Sequence, residues 1–444
     1  MIKKLLQALI IFGCLTLQSQ DLNKICVEKM QKIDNLIKTE SYFESEKIID
    51  ASLSCKNLDE IFFLNVEKTF YYLNLSSKSD DKLKYINKLV ETYDLYDANF
   101  PKNNNRNAVK KSVLLYDNKT KTNLEIFNVL DKTFKTKKTD FVNALEINLY
   151  FKLFVEIKKS FQTNNEINDL LDTFFEINLL INKNQIELNE KLSLENLSAN
   201  DKKNLQNNIL AFNITKKNIN AQIARFLTCD NLSSYYESNK EKNVSNDYWL
   251  KSLTEKMFEK NCSAKDNFNK LTIQSHKINA TSKSSYYLAF SYLYKNDYEK
   301  AIQFFDESAE KETNLEEKAK IYYTIATTVF GINNKSKCKE YLEKAIETDS
   351  KFGQPYVFLS ELYKSSIQEC TKNDFEKKAF NWIIINTYNK ANIADPNLIR
   401  ETEGLIAESL KNIPTKLEIK KAKMSDKQLT FDCWFRETIL IPKK

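Results

Sequence analysis

Cysteine and histidine are the residues best suited to chemistry here, and their spacing narrows what that chemistry can be. The chain has 444 residues, with eight cysteines and a single histidine, His276. One histidine would have to serve every Ser–His or Cys–His nucleophile and every imidazole metal site. It lies in the polar stretch Gln274-Ser275-His276-Lys277, which reads as an exposed loop between helices. No two cysteines stand in C-x-x-C spacing, so a thiolate metal site has no nucleus. Paired carboxylates such as Asp80-Asp81 and Glu316-Glu317 fall in polar runs, where solvation leaves them untuned for acid–base work. The reading is of a non-enzyme with no catalytic, metal or cofactor-binding residues.

Disulfide chemistry fits better. Met1-Ile2-Lys3-Lys4 is a cationic start, Leu5 to Leu17 is a mostly apolar uncharged run, and Ser19-Gln20-Asp21 opens the polar chain. That is the anatomy of a signal peptide over residues 1–20, with a run too short to span a membrane. Ile11-Phe12-Gly13-Cys14 partly matches a lipobox, which would lipidate Cys14. The bulk of Phe12 and the apolar run beyond Cys14 favour simple cleavage near Ser19–Asp21 instead. The expectation is export to the periplasm, with lipid anchoring to the envelope through Cys14 as the alternative. An oxidising compartment permits pairing. Three local pairs are expected: Cys26 with Cys55, Cys229 with Cys262, and Cys370 with Cys433. Cys338 is left as a buried free thiol.

Composition sets the fold class. There are four glycines and five prolines. With Gly13 in the leader, Gly331, Gly353 and Gly404 are too far apart to cradle a phosphate. The formal charge is +7, but acids and lysines alternate, as in Glu310-Lys311-Glu312, which is the pattern of solvated helix faces. A denser basic stretch carries Lys102, Arg106, Lys110, Lys111, Lys119 and Lys121, with Tyr116 the one aromatic placed for stacking. A nucleic-acid surface needs interleaved aromatics, and no such partner is expected. The chain reads as all-α.

Six segments position these residues. After the leader, 21–160 is an N-terminal helical region broken at Asn99-Phe100-Pro101; in its second half Leu124, Phe127, Leu130, Phe134, Phe141, Leu145 and Leu149 recur at helical spacing. Over 161–228, Leu170, Phe174, Ile177, Ile181, Asn184 and Leu188 step by heptads, as do Leu205, Ile209, Phe212, Lys216, Ile219, Ile223 and Phe226. That predicts an antiparallel coiled-coil hairpin turning near Leu194 to Asp201, either a spacer or an arm for a partner. Residues 229–281 form a helical linker, and 282–396 about three repeats. The last segment, 397–444, holds a helix and an extended tail rich in β-formers from Leu429 to Ile441.

In the repeats, Ala289, Ala326 and Ser360 mark equivalent positions 37 and 34 residues apart. Around them lie Leu288, Tyr292, Ala301 and Phe305, then Ile325, Val329, Cys338, Leu342 and Ala345, then Leu359, Tyr363, Tyr388 and Ala391. The third unit carries an insertion near Ser365 to Asp374. This pattern resembles the tetratricopeptide repeat, a pair of antiparallel helices. Together with Asn99-Phe100-Pro101, Cys229-Asp230-Asn231-Leu232, Ser350-Lys351-Phe352-Gly353 and Cys433-Trp434, it resembles a group of exported tetratricopeptide-repeat proteins of Gram-negative bacteria. The resemblance implies an α-helical periplasmic or membrane-anchored protein with no assigned activity, and offers no catalytic residues. The function expected is a non-catalytic scaffold or adaptor of the cell envelope that binds a peptide or protein. Tyr286, Tyr287, Tyr322, Tyr323 and Tyr356, on first helices, are its candidate contacts. The alternative is a glycan-binding outer-membrane lipoprotein, although the glycine- and proline-rich loops of such sugar sites are missing.

Overall fold

Helix boundaries are written locally, by short polar side chains that accept the first free backbone N–H groups. Asp59, Ser198, Asn246, Asp297, Asn334 and Asn373 each do so three residues ahead. Thr122, Thr163, Thr281 and Thr415 form reciprocal capping boxes. The computed structural model describes residues 24–55, 58–103, 105–158 and 161–443. The expected signal peptide and Cys14 lie outside the described residues. Two compact units result, Met1–Ala224 and Arg225–Lys444.

The first unit begins with α1 (24–38), α2 (Tyr42–Ser52), α3 (Glu60–Ser76) and α4 (Ser79–Asn99). Ile33, Ile49, Phe62, Phe63, Phe70, Leu89 and Tyr93 form their common core. Then come α5 (Asn107–Asp117), α6 (Asn123–Lys137) and α7 (Ala144–Lys158). Phe127, Phe134, Phe141, Tyr150 and Phe154 stack between α6 and α7, and the Tyr150 hydroxyl donates to Asp131 (3.0 Å). Leu124 and Leu145, expected on this inward face, are instead 52% and 75% exposed. Both sit in first turns, and the inward stripe starts later, at Ile126 and Ile147.

Next come α8 (Asn164–Leu192) and α9 (Ala199–Gln222), the expected hairpin. Gln185 bonds Asn213 (2.9 Å) and Lys216 reaches Asn182 (3.4 Å), setting an antiparallel register. The hairpin is two-stranded only toward its turn. Further along, the chain entering α7 is a third partner: Asn184 donates to the Phe141 carbonyl just ahead of α7 (3.0 Å), and Thr215 to that of Ala144, the first residue of α7 (3.3 Å). Asn184 therefore bonds outside the two-helix seam expected of it.

The second unit starts with α10 (Cys229–Asn239), α11 (Asp247–Glu259) and α12 (Asp266–Ile278). Three antiparallel pairs follow: α13 (Ser282–Tyr294) with α14 (Tyr298–Lys311), α15 (Leu315–Gly331) with α16 (Lys335–Thr348), and α17 (Gln354–Lys364) with α19 (Asp374–Ala394). The third is interrupted by α18 (Ile367–Cys370), within the expected insertion. Ala289, Ala301, Ala326, Cys338, Ser360 and Ala391 are all fully buried where the helices meet. Asn296 and Asn333 close the first helices of two pairs with φ of 60° and 63°, the left-handed cap that asparagine tolerates. This is a tetratricopeptide-like solenoid. It ends in α20 (Ile399–Lys411), α21 (Lys416–Lys421) and an antiparallel hairpin, β1 (Gln428–Asp432) with β2 (Arg436–Leu440). No helix among the described residues is long and apolar enough to cross a membrane.

Gly353 shows how tightly the third pair is set. A Cβ there would lie 2.5 Å from Leu398 Cδ1 and 2.9 Å from Asp395 Cβ, whereas one at Gly404 meets nothing within 4 Å. Overpacking of this kind costs about 1–3 kcal/mol. Gly353→Ala should therefore lower the thermal unfolding midpoint of the second unit by several degrees. Gly404→Ala, inside α20, should leave it unchanged or raise it.

Candidate functional site

The C-terminal hairpin is laid against the third helical pair by apolar contact. Successive strand residues face opposite sides, so Phe431, Phe435, Ile439 and Ile441 turn inward and are buried, while Thr430, Thr438 and Leu440 turn outward. Phe435 packs on Tyr363 and Phe431 on Phe380, at ring distances of 4.9 Å each. The corner Cys433-Trp434 is held by the Cys370–Cys433 disulfide and by the Trp434 indole N–H, which donates to Glu369 (3.0 Å) and Ser366 (3.2 Å). Lys335 neutralises Glu369 and holds its carboxyl below the usual range.

Docking the hairpin leaves a groove of about 570 Å³ beside it. Tyr356, Leu359 and Tyr363 of α17 form the floor. Glu343, Ile346 and Glu347 of α16 make one wall, and Ile383, Asn386, Lys390 and Ile393 of α19 the other. Glu437, Thr438 and Ile439 of β2 close one end. Ile393 is 82% exposed, an apolar side chain with no covering neighbour. The Tyr363 hydroxyl donates to Glu437 (2.9 Å), and burial, with Glu437 adding to it, pushes the phenol well above its ordinary range. It is a fixed donor and not an acid. Lys339 bridges Glu343 and Glu437 from below.

Of the five tyrosines singled out from the sequence, only Tyr356 opens onto this groove. Tyr286 and Tyr287 pack on Phe258 of α11. Tyr323 packs on Phe352 and Phe358, and Tyr322 faces Tyr341. These four spend their rings on contacts between successive helices. The groove was missed because its walls are second helices, whose isolated Ile393 and Ile346 carry no signal in the repeat pattern.

The structure joins Cys26 to Cys55, Cys229 to Cys262 and Cys370 to Cys433. Loops of 29, 33 and 63 residues lose about 4 kcal/mol of unfolded-state entropy each in the loop-closure picture. Glu369 lies close enough to Cys370 and Cys433 to share an ion, but bonded sulfurs offer no thiolate. Cys338 is free and buried, and burial alone pushes its thiol up to about 12. The basic stretch is largely met by acids: Arg106 pairs with Glu146, Lys110 with Glu67 (2.9 Å), Lys111 with Asp94, and Lys121 with Glu125 (2.9 Å).

His276 is not in a loop. It sits in the last turn of α12, with its side chain 18% exposed, against the ring of Phe304. Its Nδ1 lies 3.1 Å from Ser284 Oγ and its Nε2 3.5 Å from Glu307. The Ser–His–Glu order has the composition of a nucleophile triad. Ser284, however, is buried and already used: its Oγ accepts from the Thr281 N–H (2.8 Å) and donates toward the Asn279 and Thr281 carbonyls (3.0 Å each). It caps α13.

No family model matches the chain, and no curated protein matches its sequence. Among solved structures it is similar to MamA, at 14% identity over 44% of this chain and 91% of that one, with a TM-score of 0.28. It is similar to yeast Tom70 at 13% identity, covering 90% and 83% of the two chains, with a TM-score of 0.27. The C-terminal part of a TPR repeat-containing protein from Cytophaga hutchinsonii matches at 12% identity, covering 79% of this chain and all of that one, with a TM-score of 0.28. The assignment of the class, a tetratricopeptide-like helical-repeat protein, rests on this chain's own helix pairs.

Burial, the largest influence, holds the His276 imidazole below its ordinary 6.5; Glu307 opposes and Lys311 adds to the effect. The unfolded chain then takes up this proton at higher pH than the folded one. Stability is full above about 6.5 and falls as pH drops below it. As the chain's one histidine, it dominates side-chain titration in that window. Between pH 7.5 and 5.5 the urea midpoint of the wild type should fall more than that of His276→Gln. Equal falls would show that His276 is not the group responsible.

Proposed function

We propose that this chain is a non-catalytic helical scaffold of the cell envelope that binds a segment of a partner protein. The observation that carries this reading is the groove between α16 and α19, whose apolar floor and exposed Ile393 are unsatisfied by the chain itself. The concavity sets an apolar floor between largely polar walls, so a ligand can be held both by burial and by polar contacts. Its size suits a few side chains of a peptide rather than a whole domain. The cationic, apolar leader and the three cystines support export to an oxidising compartment.

A second reading, glycan binding, has one observation in its favour. A cavity of about 590 Å³ in the first unit is lined by the amides of Asn103, Asn105 and Asn128, with Lys132 and the ring of Phe100. Amides and an aromatic face are groups that sugars accept.

Affinity capture from an envelope fraction separates these readings. Ile393→Arg combined with Asn386→Arg should abolish partner capture while leaving helicity and thermal midpoint unchanged, since both side chains are exposed. Capture that survives the double variant would refute the groove. Saturable binding on a glycan array, lost in Asn128→Ala, would favour the second reading.

A further inference from the structure

The hairpin that closes the groove leaves the outer edge of β2 without a partner. Antiparallel pairs alternate between those that exchange both N–H···O bonds and those that exchange none. The parity is set at both ends of this ladder: the Ile441 N–H donates to the Lys427 carbonyl (2.9 Å), and the Cys433 N–H to that of Phe435 (2.9 Å). With Leu429 opposite Ile439 and Phe431 opposite Glu437, the odd-numbered residues of β2 bond toward β1. Thr430 and Thr438 form a non-bonded pair, their hydroxyls 2.9 Å apart. The backbone N–H and C=O of Arg436, Thr438 and Leu440 therefore point away from β1. Thr438 and its two neighbours line the groove. Among the described residues the sheet has only these two strands, and Arg436, Thr438 and Leu440 are exposed.

Charge adds a second, independent observation. Three carboxylates, Glu343, Glu347 and Glu437, line the groove against one ammonium, Lys390. Glu343 and Glu437 share Lys339, whereas Glu347 is exposed and no ion pair engages it among the described residues. An open edge is a template for another strand, and these carboxylates select the strand's charge.

We infer that the segment this groove receives is an extended, cationic peptide that pairs with β2 as a third strand. The inference rests on the groove being the docking site and names what docks there. Side chains two apart on a strand share a face. Apolar residues of the peptide then drop toward Ile346, Tyr356 and Ile393, and a lysine or arginine meets Glu347. Main-chain hydrogen bonds supply affinity without demanding one sequence, and the pocket and charge supply the preference. A second copy of this chain is a poorer occupant, because its own β2 would bring Glu437 against like charge.

Panning a displayed library of random nine-residue peptides on the full chain tests this. Enriched peptides should alternate apolar with polar positions and carry net positive charge, and Glu347→Lys should weaken them about tenfold or more. Residue-resolved amide exchange on a complex should show new protection at Arg436, Thr438 and Leu440, and little change at Glu437 and Ile439, which already bond β1. Enrichment of acidic or helical peptides, no enrichment at all, or unprotected amides at those three residues would overturn the inference. If Ile393→Arg with Asn386→Arg still abolished partner capture, only the strand-pairing idea would fall. If capture persisted, the groove itself would fall with it.

Discussion

Close approach of helix backbones at small, fully buried residues is the constraint on which the second unit depends. Ala289, Ala301, Ala326, Cys338, Ser360 and Ala391 have no exposed surface. A larger side chain at any of them would push two helices apart, at about 1–3 kcal/mol. Each pair is apolar along its inner faces and cannot stand alone. The small residues let neighbours close over those faces, and large rings such as Phe305, Tyr341 and Tyr388 fill the remaining volume. Left-handed asparagines at Asn296 and Asn333 turn the chain back at matching places, so the same geometry recurs.

A solenoid needs an end, and this one is ended by packing and covalency together. The third pair would expose Tyr363 and Phe380. The hairpin covers them with Phe431 and Phe435, and the Cys370–Cys433 bond keeps it in place. The cover is incomplete, and that incompleteness produces the groove. The hairpin stops short between α16 and α19, leaving Ile393 bare and one edge of β2 unpaired. The same closure that stabilises the repeat array thus creates the groove.

Much of the helical architecture was legible from the residues. Alanine and serine spacing located the repeats, and heptad steps located the α8–α9 hairpin, because helix packing is periodic in sequence. Burial of Cys338 followed from its place at a small-residue position. Legibility failed where neighbours came from elsewhere in the chain. Leu124 and Leu145 fit a helical period yet lie exposed, since a period does not say where a stripe begins. Asn184 fit a two-helix seam, but the Phe141 carbonyl, just ahead of α7, takes its hydrogen bond. His276 looked like a loop residue because its polar flanks hide a last helical turn, and α13 and α14 then half-bury it.

The sequence by itself determined a mostly helical chain and the repeat period. These follow from contacts within a few residues, or at fixed multiples of a helical turn. Only the tertiary structure decided which tyrosines would be consumed in packing and which one, Tyr356, would face open space. It alone made the tail a hairpin, set the parity that turns the Thr438 backbone N–H and C=O away from β1, and brought Glu343, Glu347 and Glu437 around one groove. Those outcomes depend on pairings between residues far apart in the chain, across α16, α19 and β2, for which no local pattern carries a signal.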